Sequence, residues 1–127
     1  MNKQISFSPY PQQMLLEGFS YPQSYLKLSQ DTSTINWSSQ YLFPWWFEDH
    51  GTEGAELAYR FRKSDSDIVG LNLIPFAQNG DWEAYFNADD TSGNPQVIVI
   101  DLSDTKYVSY CDDFDSWLKM AEQNGWT

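Results

Sequence analysis

Few side chains in this chain have the types and spacing for covalent or metal chemistry. Cys111 and His50 are its only cysteine and its only histidine. A thiol needs a neighbouring base or cation to become a nucleophile, yet Asp112 and Asp113 directly follow Cys111 and would raise a thiol pKa. A buried structural thiol and a solvated turn histidine are the simpler readings. Asp81 and Glu83 stand two apart and could divide acid and base work, but a chain this rich in carboxylates produces such pairs by chance. Asn87-Ala-Asp-Asp-Thr-Ser-Gly93 offers Asp89 and Asp90 as hard oxygen ligands for calcium. It lacks the alternating ligands and distal Glu of an EF-hand loop, and turn propensity accounts for the same residues. A small hydrolase and a calcium-binding protein are therefore minor alternatives, and no cofactor is expected.

Recognition chemistry is better represented. Trp45 and Trp46 precede Glu48 and Asp49. Aromatic anchors beside carboxylates suit a surface that grips a basic partner. Adjacent residues of an extended segment point to opposite sides, so one tryptophan can be core and the other exposed. The competing reading is that Pro44-Trp-Trp-Phe47 only caps the core. A second aromatic and acidic run is Asp81-Trp82-Glu83-Ala84-Tyr85.

The elements that must position these residues are legible in part. Leu71 to Asn87 reads as a buried strand, a polar turn from Gln78 to Asp81, and a second strand. Asn79-Gly80 tolerates the positive φ that tight hairpins need. Along the second strand Trp82, Ala84 and Phe86 share one face; Glu83 and Tyr85 share the other. Leu57, Tyr59 and Phe61 alternate against Ala58, Arg60 and Arg62, which gives a strand over 56–63. Further strands are read over 68–74, 97–100 and 106–110, and turn formers fill Asp89 to Pro95. Pro22 opens a helix through Leu28, with Tyr25, Leu26 and Leu28 toward the core, and a short turn is read from Pro11 to Gly18. The last helix is the clearest. Phe114, Trp117, Leu118 and Ala121 recur on one face, and Asp112, Asp113 and Asp115 lie where the positive helix end attracts anions.

Several of these words, in this order, resemble the SUKH superfamily, which includes fungal cell-wall-assembly regulators and many bacterial immunity proteins. They are Leu73-Ile-Pro-Phe-Ala77, a polar turn with Gly80-Asp81, the aromatic strand with Tyr85-Phe86, Pro22-x-x-Tyr25 at a helix start, and the closing Phe114-x-x-Trp117-Leu118. The resemblance implies an α+β fold: a mainly antiparallel sheet of about five to six strands with N-terminal and C-terminal helices packed on it. It also implies a binder rather than an enzyme, most often an immunity protein that neutralises a cognate toxin, frequently a nuclease. A regulatory scaffold without a toxin partner is the alternative.

Composition sets the outer limits. With 127 residues, 41% hydrophobic and 17% aromatic, one domain over 1–127 with its own core is expected, which the resemblance makes a SUKH-like one. The net charge is −11. Residues 1–63 carry five cations against six acids, whereas residues 64–127 carry twelve acids against Lys106 and Lys119 alone. Such a surface repels nucleic acid and anionic membranes and attracts a basic protein. The first residues lack the apolar run of a signal peptide, and no stretch approaches a membrane span, so a cytoplasmic protein is expected. The contact residues expected for a basic toxin domain are Trp45, Trp46, Glu48, Asp49, Asp81, Trp82, Glu83, Tyr85, Asp89 and Asp90.

Overall fold

A computed structural model describes residues 5–10, 15, 17–35, 45–49 and 70–124 of the chain. The architecture is α+β. Helix α1 (Gln23–Gln30) leads through a 3-10 turn (Thr32–Thr34) toward β1 (Trp46–Phe47). The strands β2 (Leu73–Asn79), β3 (Trp82–Asn87), β4 (Val97–Asp101) and β5 (Val108–Cys111) follow, and helix α2 (Phe114–Asn124) comes last. The described strands form one antiparallel sheet in the order β1-β2-β3-β4-β5. The strand read over 56–63, the turn begun at Pro11, the block from Trp37 to Pro44 and His50 lie outside the described residues.

The β2–β3 hairpin is where sequence expectation and structure differ most usefully. The two-residue turn is Gly80-Asp81, closed by the pair Asn79 and Trp82, one residue beyond a turn centred on Asn79-Gly80. Gly80 has φ of 60°, which a primed hairpin turn requires at its first central position. A one-residue slip would exchange the two faces of the hairpin, so core packing selects this register. A bulge between Pro75 and Ala77 makes Phe76 the extra residue. It turns both Phe76 and Ala77 toward the main core, and Phe76 stacks on Phe86 at a centroid distance of 4.2 Å. Pro75 is tolerated because it sits at the bulge.

Both helices cover this face of the sheet. Tyr25 of α1 meets Phe76, Phe86 and Phe114 edge-on at 5.8, 5.0 and 5.4 Å. Trp117 of α2 meets Phe76 at 4.9 Å and Trp45 at 5.2 Å. Each such pair contributes about 0.5–1.5 kcal/mol beyond its buried area, so the aromatic content is largely a core property. Pro22, with φ of −59° and ψ of 143°, is the N-cap of α1 rather than its first turn. The Asp113 carboxylate accepts the Ser116 N–H at 2.8 Å and so caps α2.

The opposite face is buried as well. Leu73, Tyr85, Ile98 and Ile100 form a second apolar cluster, with Leu71 and Val108 packed on its margin. The central strands are therefore covered on both sides, and Glu83 and Tyr85, expected among the partner contacts, are buried.

Candidate partner-binding surface

The ten residues expected at an interface separate into three groups. Trp45 is 3% exposed, Glu83 2% and Tyr85 0%, so all three face the interior. Glu48 is half-buried with one carboxylate oxygen turned inward. Burial pushes the Tyr25 phenol well above its ordinary pKa, and the nearby Tyr21 and Glu48 add to that shift.

Asp89 and Asp90 form the second group. Asp89 accepts the Asn72 side-chain amide at 2.9 Å and the Asn72 backbone N–H at 3.1 Å. Asp90 accepts the backbone N–H groups of Ser92 and Gln96, both at 3.0 Å. The Asn72 side chain, then its backbone N–H, holds the Asp89 carboxyl below its usual range; Ser92 does the same for Asp90. Both aspartates therefore tie down the β3–β4 loop. Asp49 is similarly engaged, accepting the Ser8 N–H at 3.0 Å.

Trp46, Asp81 and, in part, Trp82 are at the surface without belonging to those loop contacts, whereas Asp49 and Asp89 are exposed as well as hydrogen-bonded. The split between the adjacent tryptophans follows strand parity: Trp46 is 46% exposed and pairs with Gln78, whereas Phe47 pairs with Ala77 on the core face. Asp81 is exposed at the hairpin tip, and Trp82 is half-buried against the main core.

The structure adds residues to this end of the sheet. The Asp81 carbonyl accepts the Leu102 N–H at 2.8 Å, which joins the β2–β3 turn to the β4–β5 loop. That loop presents Leu102, Asp104, Lys106 and Tyr107, with Tyr107 54% exposed. Lys106 lies 3.7 Å from Asp104 and 5.3 Å from the centre of the Tyr107 ring. Solvent screens such an exposed pair, so it contributes little to stability. Tyr110 is also exposed. Lys106 to Tyr110 was readable as a strand, but nothing in a linear pattern says that this strand lies at the rim of the sheet.

Cys111 is buried with its Sγ 4.0 Å from the Met120 Sδ. Burial first, then the charges of Asp112 and Asp113, push the thiol pKa up, the direction opposite to nucleophile activation. Among the described residues no three His, Cys, Asp or Glu side chains are grouped as metal ligands, and no helix is long and apolar enough to cross a membrane. Comparison of the chain with models of protein families, with curated proteins and with solved structures returns no match.

Proposed function

We propose that this chain is a non-enzymatic binding protein of the SUKH type, an immunity protein that neutralises a cognate basic toxin by covering it. The observation that carries the reading is the joined hairpin end, where Asp81 and Asp104 stand with the exposed side chains of Leu102 and Tyr107, while Trp46 is exposed on the far edge strand β1. Aromatic and apolar groups supply contact area, while the carboxylates steer a basic cleft and pair with its Lys and Arg. The charge of residues 64–127 extends that field. The order of the SUKH-like words along the chain is a second support. Of the set expected from sequence, Trp45, Glu83 and Tyr85 are buried and stand outside this surface.

Co-expression with the toxic domain encoded beside it, scored by survival and by pull-down of the pair, tests the reading. Rescue with a stable complex is expected. The variant carrying both Asp81→Lys and Asp104→Lys should fold normally and associate about tenfold or more slowly at low salt. No rescue and no complex from a folded protein overturns the immunity reading.

A further inference from the structure

We infer that the outer edge of β5 is a docking edge that takes a basic, extended segment of a partner protein as an added strand. The inference rests on the binding-protein reading and names the part of the partner that would be held.

The main-chain geometry identifies which groups are available. In an antiparallel ladder alternate residues direct their N–H and C=O to the same neighbour. The Tyr107 carbonyl accepts the Asp101 N–H at 3.1 Å, so Tyr107, Ser109 and Cys111 direct their main chain to β4. The partners of β4 agree: Gln96 O accepts from Asn87 N–H and Leu102 N–H donates to Asp81 O, which turns the even-numbered residues of β4 to β3 and the odd-numbered ones to β5. Val108 and Tyr110 therefore direct their N–H and C=O away from the sheet. Among the described residues no strand pairs with that side.

The side chains along the edge indicate the occupant. Tyr110 is 57% exposed on one face. On the other, Met120 of α2 is exposed and touches Cys111. An added strand would alternate its side chains between these two surfaces. From Asp101 to Glu122 the chain carries six carboxylates against Lys106 and Lys119, with Asp112 and Asp115 exposed and Asp104 half-buried. Lys and Arg in the incoming segment would meet these acids. The net charge of −11 opposes a second copy of the chain at the same edge, as charged residues on sheet edges generally do.

The ladder also supplies a selective probe. Tyr110→Pro removes an N–H that β4 does not use, and proline is tolerated on an edge. Tyr110→Ala removes the ring but keeps the donor. Binding of a short fluorescein-labelled peptide of alternating Lys and Val should be measured by anisotropy against its Glu and Val twin. Amide exchange of Val108 and Tyr110 should be followed by NMR in the unmodified chain. Expected are binding of the basic peptide alone, slowed exchange at both amides, and a loss about tenfold larger for Tyr110→Pro than for Tyr110→Ala at unchanged melting temperature, as one lost charge-free ladder bond of about 1.4 kcal/mol gives. Peptide binding with neither amide slowed and the two variants alike overturns the edge and leaves the acidic-surface reading standing. No peptide binding, or dimerisation of the free chain, also overturns the edge, while the co-expression assay judges the binding-protein reading independently.

Discussion

Individual aspartates do two different jobs in this protein. Asp89, Asp90 and Asp113 accept main-chain or side-chain N–H groups at fixed geometry, and Asp81, Asp112 and Asp115 present carboxylates at the surface. The first set has a consequence for acid stability. The Ser116 N–H, above all, holds the Asp113 carboxyl below its usual pKa. A carboxyl lowered in the folded state contributes stability that is present above its unfolded value, about 3.9, and is lost as pH falls through the folded value. Thermal melts from neutral pH to about 2.5 should therefore show an acid limb below about pH 4. In Asp113→Asn that limb should be shallower; an equal limb in both proteins would mean that the cap does not titrate with folding. A linear pattern shows an Asp-rich run ahead of a helix but not which member caps it, because the choice depends on where the chain turns after Cys111.

At the scale of elements, the β2–β3 hairpin shows how local and long-range preferences are reconciled. Asn79-Gly80 announces a tight turn, and the aromatic spacing of Trp82 to Phe86 announces a strand. The turn nevertheless closes on Gly80-Asp81, because that register with its bulge puts Phe76, Ala77, Ala84 and Phe86 into one core. Gly80 has φ of 60° and open space where a Cβ would go. The cost of Gly80→Ala is thus purely conformational, about 1 kcal/mol. Equilibrium urea unfolding should show a lower midpoint with an unchanged slope, and Gly80→Asn should fall between the two because Asn enters that region more readily. Glu83 illustrates the opposite limit. Period-two alternation places this residue, expected among the partner contacts, on the face opposite Phe86, yet it is 2% exposed because the residues of the second apolar cluster are as buried as those of the first.

For the whole molecule, a net charge of −11 acts on stability and on encounter with opposite sign. Self-repulsion weakens the folded state, while the same field draws in a basic partner. Raising salt from about 0.01 M to about 1 M shortens the Debye length from about 30 Å to about 3 Å. The melting temperature should rise over that range, and association with a basic partner should slow by at least about tenfold. A melting temperature that falls with salt would assign the net effect to favourable ion pairs instead.

What the sequence determined by itself was the class of the fold, the closing helix with its Phe114 and Trp117 face, the hairpin and the acidic imbalance. The class of the fold came from the order of the SUKH-like words, and the rest are local or periodic properties: helical spacing, turn chemistry and charge counting. The tertiary structure alone decided that β3 is buried on both faces, that Asp89 and Asp90 hold a loop together, and that Leu102, Asp104 and Tyr107 stand beside Asp81. Those outcomes depend on which strands become neighbours and what covers them. Contacts between residues far apart in the chain settle both, and no window of the sequence contains those contacts.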